Sequence, residues 1–168
     1  MKVKQETFAF TGIYRGEVVD NNDPKKLGRV KVKVLPFFRG ASANSLPWAV
    51  PAFPLVRGAS SSGSFVVPRV GSKVWVFFEN QDYNMPVYFA EAFDGSTVKA
   101  EFNADYPDRF GFKLANGICV YFVDKEDKKE VGIEHPTGSY IKIFDDGSIF
   151  IHSVSEVRIE GALVNINP

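Results

Sequence analysis

The chain has 168 residues, and its 20 Lys and Arg balance 20 Asp and Glu to a formal net charge of zero. That balance argues against a dedicated nucleic-acid binder, and a hydrophobic share of 45% argues against wholesale disorder. The single cysteine, Cys119, rules out an intrachain disulfide, and its apolar run Ile118-Cys119-Val120-Tyr121-Phe122 reads as a strand around a buried, inert thiol.

Sixteen Phe residues lean the chain towards cores and contact surfaces. Residues 1–95 hold 12 Lys and Arg against 8 Asp and Glu, and residues 96–168 hold the reverse. A solvated face accounts for so modest a basic excess more simply than a nucleic-acid groove does. Met1-Lys2-Val3-Lys4 leads into no apolar run of a signal peptide, and no apolar stretch reaches the length of about 18 residues that a membrane span needs. The expectation is synthesis in the cytoplasm and transport, if any, as part of an assembly.

Alternating apolar and polar residues predict strands at 8–20, 28–35, 48–51, 64–67, 73–80 and 87–93. Turn-forming stretches at 21–24, 39–42, 57–63 and 81–84 separate them, and most of the Pro residues fall at such boundaries. No amphipathic helix is legible, and Phe53-Pro54-Leu55-Val56 is read as no more than a short turn. Five or six short strands with uneven loops suit a closed barrel such as an OB-fold over residues 1–95. Residues 96–110 are more polar and less patterned, and are read as a linker.

A β-repeat region is expected over 111–168. It opens irregularly, with Phe112/Leu114, Ile118/Val120/Phe122 and Val131/Ile133, and Asn116-Gly117 signals a hairpin turn between the first two runs. From Tyr140 the pattern becomes regular. Aliphatic pairs stand at Ile141/Ile143, Ile149/Ile151, Val157/Ile159 and Val164/Ile166. Asp145-Asp146-Gly147, Ser153-Val154-Ser155 and Gly161-Ala162 fill the gaps. A strip this thin cannot bury its own apolar face, so the repeat predicts an oligomer of identical strips.

Several stretches of the barrel region resemble a known family. They are Gly16-Glu17-Val18-Val19-Asp20-Asn21-Asn22-Asp23-Pro24, Leu27-Gly28-Arg29-Val30-Lys31-Val32, Leu46-Pro47-Trp48-Ala49, the run from Pro68 through Gly71 to Glu79, and Pro86-Val87-Tyr88. In this order they resemble the N-terminal OB-fold of central spike proteins from contractile phage tails, and the matching domain of the VgrG proteins of type VI secretion. The closing repeats are similar to the triple-stranded β-helix that follows the barrel in that family.

The resemblance implies an all-β, homotrimeric protein: an OB-fold barrel, then an intertwined triple-stranded β-helix. It implies a structural central spike in the virion tail baseplate. The barrels would dock on a separate ring-shaped hub protein, and the rod would touch and help pierce the bacterial envelope. The eight aliphatic residues Ile141, Ile143, Ile149, Ile151, Val157, Ile159, Val164 and Ile166 would form the trimer core. Lys142, Phe150, His152, Glu156 and Arg158 would point outward. The number three rests on the resemblance and not on the repeat.

The chain also departs from the family. Residues 96–110 are too few for the lysozyme domain that some spikes carry. The ending Asn165-Ile166-Asn167-Pro168 lacks the His-x-His motif that holds an iron ion at some spike tips. No metal is therefore implied, and a separate tip-capping protein is expected at that end.

Locally, Asp23-Pro24 is expected to set a turn, Gly28 to permit a tight strand entry and Gly71 to supply a positive φ. Trp48 and Trp75 are read as core or interface anchors. No enzyme, cofactor or metal chemistry is legible. His135 and His152 lack metal-like neighbours, and no Cys-x-x-Cys or His-Glu-x-x-His spacing occurs. The Gly/Ser-rich stretch from Gly58 to Ser64 lacks the ending of a phosphate loop. Asp124, Glu126, Asp127, Asp145 and Asp146 read as solvated turn residues. The alternative reading is an OB-fold protein that binds single-stranded nucleic acid, with Lys31, Lys33 and Arg39 as cations and Phe37, Phe38 and Trp48 as stacking groups.

Overall fold

The structure is a computed structural model that describes residues 10–54, 63–95 and 99–165. The chain divides into two compact units, Met1–Thr97 and Val98–Pro168. Most of the Gly/Ser stretch, the end of the 53–56 turn, the start of the first expected strand and Ile166 lie outside the described residues.

Five strands form the first unit: β1 (Tyr14–Asp20), β2 (Val30–Val34), β3 (Trp48–Pro51), β4 (Lys73–Phe78) and β5 (Pro86–Glu91). They close a barrel in the order β1-β2-β3-β5-β4, with β3 and β5 paired in parallel and the other neighbours antiparallel. The period of two along each strand places alternate residues inside. Val30, Val32 and Val34 of β2 and Val74, Val76 and Phe78 of β4 are buried, and meet Val18, Ala49 and Tyr88. Phe10, Tyr14, Phe37 and Phe38 pack on this core around Phe78, with Phe10 and Phe37 ring centroids 4.7 Å apart.

Gly16 is where the barrel wall has no room for a side chain. A Cβ there would stand 2.3 Å from Val32 Cγ1. Overpacking of this kind costs about 1–3 kcal/mol. Gly16→Ala is therefore expected to lower barrel stability by that amount, read from the urea midpoint of tryptophan fluorescence.

The loop between β1 and β2 is built on one carboxylate. Asp23 is 8% exposed and accepts hydrogen bonds from the backbone N–H of Lys25 and Leu27 at 3.0 and 2.8 Å. It also forms a forked ion pair with Arg29, at 3.1 Å from Nε and 2.6 Å from Nη2. The Arg29 hydrogen bonds hold the Asp23 carboxyl far below the ordinary aspartate range, against the opposing effect of burial. A carboxyl depressed by folding contributes stability that is complete above its unfolded value, about 3.9, and is lost as pH falls towards the folded value. Asp23→Asn is expected to melt lower at pH 7 and to lose less further stability than the wild type between pH 4 and pH 2, as thermal scans across that range would show.

The positive φ expected at Gly71 is present at 88°, and Gly28 enters β2 at 75°. Tyr88 donates to the Gly28 carbonyl at 2.6 Å, and burial pushes its hydroxyl up to about 12. Four expected strands are shortened or shifted, to Tyr14–Asp20, Val30–Val34, Lys73–Phe78 and Pro86–Glu91. Residues 64–67, expected as a strand, form none, because β3 pairs directly with β5 and closes the barrel without them. Val67 packs on the core, and the next residue, Pro68, accepts from Asn21 Nδ2 at 3.1 Å.

The second unit is an antiparallel meander: β6 (Arg109–Lys113), β7 (Cys119–Lys125), β8 (Lys128–Glu134), β9 (Tyr140–Ile143) and β10 (Ile149–His152), side by side in chain order. Asn116-Gly117 makes the β6–β7 turn as expected, with Gly117 at φ 95°. Residues 99–110, read as a linker, are instead part of this unit. Ala100–Phe102 forms a single helical turn, Phe102 packs on Cys119, Tyr121 and Val123, and Asp105 pairs with Lys128 at 2.5 Å. β6 already begins at Arg109.

The closing repeats also differ from expectation. Within one chain β9 and β10 pair as an antiparallel hairpin rather than as turns of an intertwined β-helix. The third repeat, at 156–159, and the described part of the fourth, 163–165, form no strand. A repeat that finds no partner strand in its own chain has no ladder to hold it extended.

Candidate assembly surface

The pairing register of the second unit sorts its side chains into two unlike faces. Directly paired residues share a face. Phe112 pairs with Val120, Val120 with Ile133, Ile133 with Ile141, and Ile141 with Ile151. Phe110 pairs with Phe122, Phe122 with Val131, Val131 with Ile143, and Ile143 with Ile149. Two unbroken apolar rows thus cross all five strands on one face, without a charged side chain in either. Nine of these ten residues are exposed, from 37% at Val131 to 69% at Phe112. Phe110 and Phe122 stack with centroids 5.4 Å apart.

The opposite face is polar, and its central groups are linked to one another, although Arg109 Nε is buried there without a hydrogen-bond partner. Tyr121 is fully buried there, with Arg109 Cζ 3.7 Å above its ring centroid. Its hydroxyl donates to Glu130 and to Glu134, and Lys142 pairs with Glu134 at 2.7 Å. Burial would raise the Glu134 carboxyl, but the hydrogen bond and charge of Lys142 outweigh it and hold it low. Burial and the Glu130 hydrogen bond push the Tyr121 hydroxyl well up. Opposite Tyr121 stands Gly132, where a Cβ would lie 2.3 Å from the ring.

The two faces set the energetic problem of this unit. Its buried apolar core among the described residues is Cys119, Tyr121 and Val123, with Phe102 against them. That core is small for a unit of this length. Nine exposed large apolar side chains lie together on the open face. Contiguous exposed apolar surface of this kind is the usual form of an association site in other proteins.

The expected core residues distribute as follows. Ile141, Ile143, Ile149 and Ile151 share the open face, and Lys142, Phe150 and His152 alternate to the other. Val157 joins Ile133, Ile141 and Ile151 in lining a cleft of about 340 Å³. Ile159 and Val164 are exposed at 64% and 46% outside any strand, and Ile166 lies beyond the described residues. Phe112 and Phe122 belong to the irregular runs that open the repeat region; Phe110 and the Arg109–Tyr121–Glu134–Lys142 network were not singled out by periodicity. The only hint was a tyrosine at an inward position, with a glycine where the next strand would face it.

The sites weighed for other chemistry are otherwise engaged. His135 Nδ1 lies 2.7 Å from Thr137 Oγ1, and His152 stacks on Tyr140 at 5.1 Å. Cys119 is 3% exposed, and burial raises its thiol. Asp124, Glu126, Asp127, Asp145 and Asp146 are all exposed. Among the described residues no group of three His, Cys, Asp or Glu could hold a metal ion.

On the barrel, Phe37 and Phe38 are held in the aromatic cluster around Phe78. Trp48 and Trp75 are half-buried on the outside of the wall, not in its core. Trp48 lies beneath Arg29 and Lys31, at 5.5 and 5.1 Å, and Arg15 lies over Trp75 at 4.6 Å. Lys31 is 8% exposed, with its ammonium on Asn44 O at 3.1 Å. Lys33 is half-buried and Arg39 exposed. The proposed stacking platform is thus occupied by the barrel's own packing and cations.

A closed five-stranded barrel in the order 1-2-3-5-4, its third and fifth strands parallel, defines the first unit as an OB-fold. Fold alone assigns no role. Residues 14–93, from β1 to just past β5, match the family model of the type VI secretion system/phage-baseplate injector OB domain. The match covers the barrel and ends before the second unit. No curated protein matches the chain.

Proposed function

We propose that the chain is the structural central spike of a contractile injection machine, acting as a homotrimer in the tail baseplate. The observation that carries this reading is a juxtaposition on one chain. An OB domain of the injector type is followed by a sheet whose apolar rows lie open along one entire face.

Three copies would turn these faces to a common axis and form a rod. Covering what remains exposed of each side chain would gain roughly 0.5–1.5 kcal/mol. The third and fourth repeats, unpaired in one chain, would gain strand partners from its neighbours. A seam closed in this way would resist unfolding under the load of penetration. The barrels would dock on a ring-shaped hub supplied by another polypeptide, and a separate protein would cap the rod's end. The role is mechanical and involves no catalysis.

The full chain is expected to show a short rod by negative-stain electron microscopy and to bind its machine's hub ring at the barrel end. Well-folded, rounded monomers at micromolar concentration would exclude this function.

A further inference from the structure

The two apolar rows do not begin at Tyr140. They begin at β6, thirty residues earlier, and their first members are aromatic. Phe110 and Phe112 stand at 55% and 69% exposed on the edge strand, and Phe122 beside them at 38%. An unpartnered monomer exposes all three to water, with none of the described residues of the second unit covering them.

We propose that the trimer seam runs from β6, with Phe110, Phe112 and Phe122 as its anchors, and that the surface covering them is the same surface on two further copies of this chain. This rests on the trimeric reading above and extends it to residues that the aliphatic repeat does not reach. Two observations favour a second copy over a foreign partner. The rows run unbroken from these Phe residues into the isoleucine pairs, so whatever covers one end is continuous with what covers the other. The rows contain no charged side chain, while Arg109, Glu130, Glu134 and Lys142 are all gathered on the other face. The charged residues of this face, Asp124 and Lys129, stand opposite each other at the margin of the rows, so the rows themselves can match their own copies but offer no charge with which to select another protein.

The stacked Phe110–Phe122 pair is already ordered at 5.4 Å, so covering it costs little side-chain entropy. A phenylalanine also buries more apolar area than an isoleucine or valine does when it is covered. The seam would therefore be strongest where the sheet begins and weaker along the aliphatic repeats. Residues 99–110 would then belong to the rod and would not be a spacer before it.

Phe110→Asp and Phe112→Asp test this in the full chain, with Phe150→Asp as a control of the same kind on the opposite face. Both sites are exposed in the single chain, so circular dichroism should report unchanged strand content. Light scattering across a dilution series should show the trimer dissociating at a concentration on the order of a hundredfold higher, or more, for either seam variant, because three carboxylates would be buried in one layer. Phe150→Asp should match the wild type. A wild-type trimer that tolerates both seam substitutions overturns this inference and leaves the trimeric reading standing. A wild-type monomer overturns both. Dissociation by Phe150→Asp as much as by the others also overturns it, since the effect would then not belong to the face.

Discussion

Ile151→Asp is expected to convert the assembled protein into folded monomers. Ile151 closes the row Phe112–Val120–Ile133–Ile141–Ile151 and is 59% exposed in the single chain. An aspartate there remains hydrated in the monomer and costs the isolated unit little. In a seam of three copies the same position would place three carboxylates together in apolar surroundings. Each carries an effective desolvation penalty of several kcal/mol, without a cation to pair with. Association should weaken by on the order of 10³-fold or more, since every 1.4 kcal/mol is tenfold. Light scattering should read a monomer while circular dichroism retains the strand signal. Unchanged mass would mean that Ile151 faces solvent in the assembly.

Tyr121→Ala is expected to have the largest effect on the second unit itself. Tyr121 is its largest fully buried side chain, and it lies over Gly132, beneath Arg109 and against Glu130 and Glu134. Truncation leaves a cavity and removes the donor shared by two carboxylates. Losses of about 3–5 kcal/mol are typical for a buried aromatic truncated to alanine. Tyr121→Phe keeps the ring and should lose less, about 1.5–3 kcal/mol for hydrogen bonds to charged acceptors. Both tryptophans, Trp48 and Trp75, belong to the barrel, so their fluorescence reports that unit alone. The tryptophan transition should stay in place while the far-ultraviolet transition shifts down. A coincident shift of both would show that the two units unfold as one.

Much of the barrel was legible because its strands alternate cleanly: Val30, Val32 and Val34, or Val74, Val76 and Phe78, declare their inner face without reference to anything else. Residues 64–67 misled for the same reason, since an apolar run signals burial and not a ladder partner. Asp23 read as a turn residue. Its ion pair with Arg29 depends on how the loop folds back, which spacing does not encode. In the second unit the isoleucine pairs gave the open face directly. Phe112 and Phe122 stood out only as members of irregular runs, and Phe110 not at all, because the turn at Asn116-Gly117 interrupts the pattern and only the strand register aligns them with the isoleucine pairs. Tyr121 escaped because its value lies in Arg109, Glu134 and Lys142, which come from three different strands.

Whether the face is covered by other copies of the chain is the point on which the rest depends. Multi-angle light scattering of the full chain at micromolar concentration decides it. A mass three times that of the 18.7 kDa chain is the result expected of an apolar face closed on a common axis. A stable, well-folded species of a single chain's mass would contradict it.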